Sequence, residues 1–82
     1  MKINDLVESM VTDGDNYKYG IITMIDQNKI YGVWSYSIAD VIRKFRDKNR
    51  WRYSDEKADG WGYESEHKLL ESPVNMNIYE GE

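Results

Sequence analysis

The residues of this chain that are best suited to chemistry are cations and aromatic rings that alternate within one short stretch. Between residues 43 and 53, six basic residues stand against one acidic residue, which gives a net charge of +5. The candidate contacts in this basic stretch are Arg43, Lys44, Arg46, Lys48, Arg50, Trp51, Arg52 and Tyr53. Lysine and arginine neutralise phosphates and release counterions, while aromatic rings stack on unpaired bases. The pattern therefore predicts a nucleic-acid-binding segment.

The rest of the chain carries the opposite charge. The whole sequence has a formal net charge of −4, so the residues outside the basic stretch sum to −9. Such an asymmetry steers association without choosing the partner. The basic stretch is also compatible with a solvated helix face or with docking onto an acidic protein. RNA is favoured over duplex DNA, because stacking requires unpaired bases and no major-groove module is recognisable.

Residue types that perform catalysis or hold metals are scarce. His67 is the only histidine and there is no cysteine, so neither a nucleophile–base pair nor a zinc site can be assembled from the usual residues. Glu64 and Glu66 are expected on one strand face, where carboxylates are mostly solubilising. The acidic loop of residues 13–16 has Lys18 where a calcium-binding loop requires glycine. We therefore expect that the protein is not an enzyme, that it binds no metal or cofactor, and that it has no small-molecule substrate.

Length and composition limit the fold that could position these residues. A chain of 82 residues fits one domain with a small core, and without cysteine its stability must come from packing. Three Trp, seven Tyr and one Phe supply much of the available apolar area. No segment approaches the roughly 18 apolar residues of a membrane span, and the N-terminus lacks a secretory signal. We expect a cytoplasmic protein that does not enter a membrane, and we leave its oligomeric state open.

Most of the predicted secondary structure consists of short β-strands, which are indicated by β-rich segments separated by turn-forming residues. Residues 6–12 are predicted to form a strand that ends at the acidic loop. Residues 19–25 and 30–36 are predicted to form a hairpin, with Asn28 in the left-handed conformation at its turn. Residues 67–71 are expected as a late short strand, and residues 75–79 alternate as a possible last strand.

Simple alternation also predicts which side chains share a face. In the second strand it places Ile21, Thr23 and Ile25 together and Ile22 and Met24 on the opposite side. The remaining large rings in β-rich segments are Trp34, Trp61 and Tyr63, which could line a ligand groove. Because the chain has few aliphatic residues, we expect at least two of these three rings in the core.

The hydrophobic period changes after the third strand. Ile38, Val41, Ile42 and Phe45 stand at i, i+3, i+4 and i+7, the spacing of an amphipathic helix. Ser37 is a favourable N-cap, so we expect an inserted helix over about residues 37–50. Whether this helix docks on the strands is left open by the sequence.

Four segments resemble, in the same order, the small Src-homology-3-like (SH3-like) barrels common in bacteriophage genomes. They are Ile3-Asn4-Asp5-Leu6-Val7, the strand from Tyr19 to Asp26, Tyr31-Gly32-Val33-Trp34, and Lys68-Leu69-Leu70-Glu71. Together with the helix predicted from the apolar spacing, the resemblance implies a mostly β fold, a small SH3-like barrel of residues 1–82 with one inserted amphipathic α-helix. It also implies a phage-encoded protein acting in the host cytoplasm.

The chain departs from the family pattern at two places. Asn4 stands where the family usually has glycine, and residues 37–60 replace a tight hairpin. Insertions on a rigid scaffold commonly carry binding, so function is expected there. We interpret the protein as a non-catalytic binder of nucleic acid, with RNA favoured, acting through its basic helical insertion. The alternative is a protein-binding inhibitor or adaptor, such as a phage counter-defence or host-takeover factor, whose partner is a host protein.

Overall fold

The structure, a computed structural model, describes residues 1–11, 17–47 and 58–75. Within these ranges the chain forms five strands, one α-helix and one 3₁₀ turn. The elements are β1 (Leu6–Ser9), β2 (Tyr19–Asp26), β3 (Lys29–Ser35), α1 (Ile38–Arg46), β4 (Gly60–Tyr63), the 3₁₀ turn (Glu64–Glu66) and β5 (His67–Glu71). The prediction of a mostly β protein with an inserted helix is confirmed.

The strands form one antiparallel sheet in the order β4-β3-β2-β1-β5. The predicted β2–β3 hairpin and the late strand β5 are confirmed. The described residues show no pairing between the edge strands β4 and β5, so the sheet is not closed. Between these two strands lies only the 3₁₀ turn, which holds Glu64 and Glu66 instead of the expected strand.

The sheet curls so that its two edges approach each other. In a flat sheet β3 and β5 would be about 14 Å apart, because two strands separate them. Instead the rings of Trp34 on β3 and His67 on β5 have centroids only 5.0 Å apart. The face on which these two rings meet is therefore the concave side, and we call it the inner face.

Each face of the sheet carries a buried cluster, which explains why the strands have aliphatic residues on both sides. The inner face carries one core cluster, consisting of Val7, Ile22, Ile30 and Trp34 with Met1 and Ile25 packed against it. The opposite side, which we call the outer face, carries Leu6, Ile21 and Val33, and these pack with Val41, Ile42 and Val74. Alternation was wrong for Ile25, which joins Ile22 on the inner face, and for Met24, which lies on the outer face with Ile21. The β2–β3 register shifts between Ile22 and Met24, and this shift reverses the faces of the residues that follow.

Helix α1 docks on the outer face. Its buried residues are Val41 and Ile42, while Ile38 and Phe45 pack at the margin of the same cluster, so the predicted apolar stripe is confirmed. The Ser37 hydroxyl accepts a hydrogen bond from the Asp40 N–H at 3.2 Å, as expected for an N-cap. The helix ends at Arg46 with Asp47 at the C-cap, four residues before the expected limit.

Two residues other than glycine have a positive φ. In the β2–β3 turn it is Gln27, at 57°, and not Asn28 as predicted. The other is Asn4, at 74°, whose N–H donates to the Ile22 carbonyl and whose carbonyl accepts from the Val74 N–H. Glycine adopts this conformation without steric cost, and asparagine tolerates it better than most residues. Asn4 therefore occupies a backbone conformation that most other residues would adopt only with strain.

Several predictions fall outside the described residues. These are the acidic loop of residues 13–16, the last strand beyond Asn75, and the second half of the basic stretch. Among the helices of the described ranges, none has the length and apolar character needed to cross a membrane.

Candidate nucleic-acid interface

The described half of the basic stretch lies on α1, where its three cations have different environments. Arg43 is exposed and forms a 3.2 Å ion pair with Asp40, one turn earlier on the same helix. Arg46 is also exposed. Since the apolar stripe of α1 faces the sheet, these two guanidinium groups lie on the solvent side of the helix. Lys48, Arg50, Trp51, Arg52 and Tyr53 lie outside the described residues.

Lys44 points instead toward the strands. Its ammonium forms an ion pair with Asp59, donates a 3.0 Å hydrogen bond to the Trp34 carbonyl, and lies 5.5 Å from the centre of the Tyr17 ring. The Asp59 side chain is only 8% exposed, and its other oxygen accepts from the Trp34 N–H at 3.1 Å. Lys44 thus joins the helix to the residues just before β4.

A second group of residues lies on the outer face beside the helix. Strand register places Met24, Tyr31 and Trp61 in one row across β2, β3 and β4, and Asp26, Lys29 and Tyr63 in the next row. Since directly paired residues point to the same side of a sheet, both rows share one face. Val33, which packs under α1, is two residues from Tyr31 on β3 and points to this same face.

Within these rows, four side chains form what we call the aromatic platform: Lys29, Tyr31, Trp61 and Tyr63. Trp61 is 50% exposed and Tyr63 is 40% exposed. Their rings meet edge to face, with centroids 5.4 Å apart and planes at 90°. The Lys29 ammonium lies 4.8 Å from the centre of the Trp61 ring, which is the distance of a cation–π contact. The platform therefore presents two half-exposed rings, one of which lies beneath a positive charge.

The glycines of β4 explain why these rings face water. A Cβ on Gly60 would lie 3.0 Å from Trp34 Cδ1, and a Cβ on Gly62 would lie 2.6 Å from His67 Cε1. Both glycines therefore point to the inner face, where they leave space for large rings. Alternation then directs Trp61 and Tyr63 to the outer face.

This arrangement differs from the expectation that two of the three rings would be in the core. Only Trp34 is buried, at 5% exposure, whereas Trp61 and Tyr63 are half-exposed. The Gly-Trp-Gly-Tyr pattern of β4 indicates this exposure in the sequence itself. Small residues at alternate positions of a strand mark a face that is filled by its neighbours, so the large residues between them belong to the opposite face.

A groove of about 190 Å³ opens at the edge of the inner face. Its lining includes Tyr17, Trp34, Gly60 and His67. The indole Nε1 of Trp34 is buried and has no hydrogen-bond partner among the described residues. A buried donor without a partner is costly, so this nitrogen is an unsatisfied polar atom beside the groove.

His67 adds a possible acceptor to the same groove. Its Nδ1 lies 2.7 Å from the Tyr63 carbonyl, which can only accept, so Nδ1 carries the proton. In the neutral ring Nε2 is then an acceptor. The described residues contain no group of three or more His, Cys, Asp or Glu side chains that could hold a metal ion. The groove thus offers hydrogen bonding and ring contacts.

No protein-family model, curated protein or solved structure matches this chain.

Proposed function

We propose that this protein is a non-catalytic SH3-like barrel module that binds single-stranded nucleic acid, with RNA favoured. The basic stretch supplies contacts to phosphates, and the outer face of the sheet supplies exposed rings. The observation that carries the proposal is that helix α1 and the aromatic platform occupy the same face of one sheet.

Helix α1 and the aromatic platform are neighbours in space because β3 runs beneath both. Successive residues on one side of a strand are about 7 Å apart. Val33 lies under α1, and Tyr31 and Lys29 follow on the same side, next to Trp61 and Tyr63 on β4. A single strand that crosses this face would meet the cations of the helix and then the rings of the sheet.

The chemistry of this face favours unpaired nucleic acid over a duplex. Every base has a flat face that can stack on an exposed ring, and stacking requires that the base leave its helix. Lysine and arginine provide the sequence-independent attraction to phosphates. RNA remains the favoured form, and its distinction from DNA would depend on contacts to the 2′-hydroxyl.

Two features of the chain support the SH3-like assignment. The sheet is curled, and only the short 3₁₀ turn separates its two edge strands, β4 and β5, along the chain. An incompletely closed barrel requires such an arrangement. Asn4 has a positive φ, which explains why glycine is usual at this position in the family that the chain resembles. By the same resemblance we propose that the protein is phage-encoded and acts in the host cytoplasm.

Fluorescence anisotropy of labelled oligonucleotides tests this function. Single-stranded RNA, single-stranded DNA and duplexes of one sequence would be titrated with the full chain at low salt and then at rising salt. We expect single strands to bind more tightly than the duplex, with affinity falling steeply as salt increases. Absence of binding to either single strand at low salt would show the proposal to be wrong.

The groove favours a second candidate, a protein-binding inhibitor or adaptor. Its ring-bearing lining, which includes Tyr17, Trp34 and His67, suits an extended peptide. Capture of partners from a host lysate, with and without nuclease, separates the two functions. Partners that disappear after RNase treatment support RNA binding, whereas one stoichiometric protein that remains supports the inhibitor.

A further inference from the structure

We infer that Trp61 is the stacking site for one unpaired base and that Lys29 contacts the phosphate beside it. This inference rests on the proposed function and assigns part of it to the aromatic platform, outside the basic stretch.

The geometry of the two rings selects Trp61. Trp61 and Tyr63 are perpendicular, so a base that lies flat on one ring cannot lie flat on the other at that position. Trp61 has the larger ring and the greater exposed fraction. Stacking gains increase with the area covered, so the indole is the better support for a base.

The position of Lys29 matches the chemistry of a nucleotide. Its ammonium lies over the face of the Trp61 ring, 4.8 Å from the ring centre, so a base that stacks on this face displaces the ammonium from the ring toward the neighbouring phosphate. No carboxylate among the described residues lies within ion-pair distance of it. A phosphate next to a base on Trp61 would therefore find a cation that forms no ion pair with the described residues.

The acidic residues near the platform restrict the path of the strand. Asp26 is paired directly with Lys29 in the sheet and is exposed. Glu64 follows Tyr63, and its carboxylate lies 3.5 Å from the N-terminal ammonium, which offsets its charge. The strand is thus expected to pass on the β4 side of Lys29, away from Asp26 on β2.

Four variants test the inference by anisotropy with single-stranded RNA. Trp61→Ala is expected to weaken binding by about 5- to 150-fold, the range of one base stack, whereas Trp61→Phe retains a stacking ring and most of the affinity. Lys29→Met is expected to make the affinity less dependent on salt, by about one phosphate contact, while the Trp61 variants leave that dependence unchanged. Leu70→Ala, on the other edge strand and also exposed, is the control and should bind like the unmutated protein.

The outcomes distinguish the inference from the function on which it rests. If the unmutated protein binds RNA and Trp61→Ala binds as Leu70→Ala does, the base lies elsewhere and the inference is wrong while the function stands. If Trp61→Phe loses as much affinity as Trp61→Ala and both unfold at a lower urea concentration, Trp61 has only a structural role. If the unmutated protein fails to bind any single strand, the proposed function is wrong and the inference fails with it.

Discussion

The ammonium of Lys44 and the carboxylate of Asp59 form an ion pair that joins helix α1 to the chain entering β4. The pair is mostly shielded from water, with side-chain exposures of 29% and 8%. Both side chains also bind the backbone of Trp34: Asp59 accepts a hydrogen bond from its N–H, and Lys44 donates one to its carbonyl. One of the eight predicted nucleic-acid contacts thus has a clear role in the fold, and its role in binding stays a prediction.

Replacing Lys44 by Met should destabilise the protein by about 1–3 kcal/mol, because the shielded Asp59 carboxylate would lose its counter-charge. Adding Asp59→Asn should recover part of this loss, since the uncompensated charge is then removed. Arg43→Met is the matched control, because its pair with Asp40 is exposed and should contribute less than about 0.5 kcal/mol. Urea unfolding followed by tryptophan fluorescence measures all four proteins. Equal effects of Lys44→Met and Arg43→Met would contradict the structural role.

The left-handed backbone at Asn4 leads to a second prediction. Asn4→Gly should leave stability unchanged or raise it slightly, whereas Asn4→Val should lower it by about 1–2 kcal/mol, because a β-branched side chain clashes in this conformation. Lys2→Val, at an exposed position nearby without a positive φ, controls for the change in polarity. Thermal unfolding would measure the differences. A tolerant response to Asn4→Val would show that the strained φ is not maintained in solution.

Docking of the inserted helix is testable in the same way. Ile42 is almost completely buried between α1 and the outer face, so Ile42→Ala should cost about 2–4 kcal/mol. Met24→Ala, which shortens an exposed side chain on the same face, should have a much smaller effect. An unchanged unfolding midpoint for Ile42→Ala would mean that the helix does not pack on the sheet.

The features that the sequence predicted correctly are encoded locally. The apolar stripe and Ser37 cap of α1 depend on neighbours within one or two helical turns, and the β2–β3 hairpin depends on one short turn. The features that it missed depend on partners distant along the chain. Ile25 faces the inner side because of a register shift between two strands, and Lys44 pairs with a residue 15 positions away.

The candidate site was predictable to a similar degree. The basic residues were identified by composition alone, and the structure places Arg43 and Arg46 on the exposed side of α1. The aromatic platform was not identified, because the exposure of Trp61 depends on Trp34 and His67 filling the space beside Gly60 and Gly62. Which rings are left for solvent is decided by packing across the curled sheet.

Charge reversal in the basic stretch provides the most direct prediction about function. Replacing Arg46 and Arg50 together by Glu lowers the charge of residues 43–53 from +5 to +1, so binding of single-stranded RNA should be lost at moderate salt. Arg46 is exposed, so its contribution to the unfolding midpoint should be small. The matched control is Lys2→Glu with Lys68→Glu, two exposed positions away from α1 that give the same total charge. If both double variants lose affinity equally, binding responds to net charge alone and the basic stretch is not the interface. If only the Arg46 and Arg50 variant loses it, while its urea midpoint is unchanged, the phosphates contact the helical insertion.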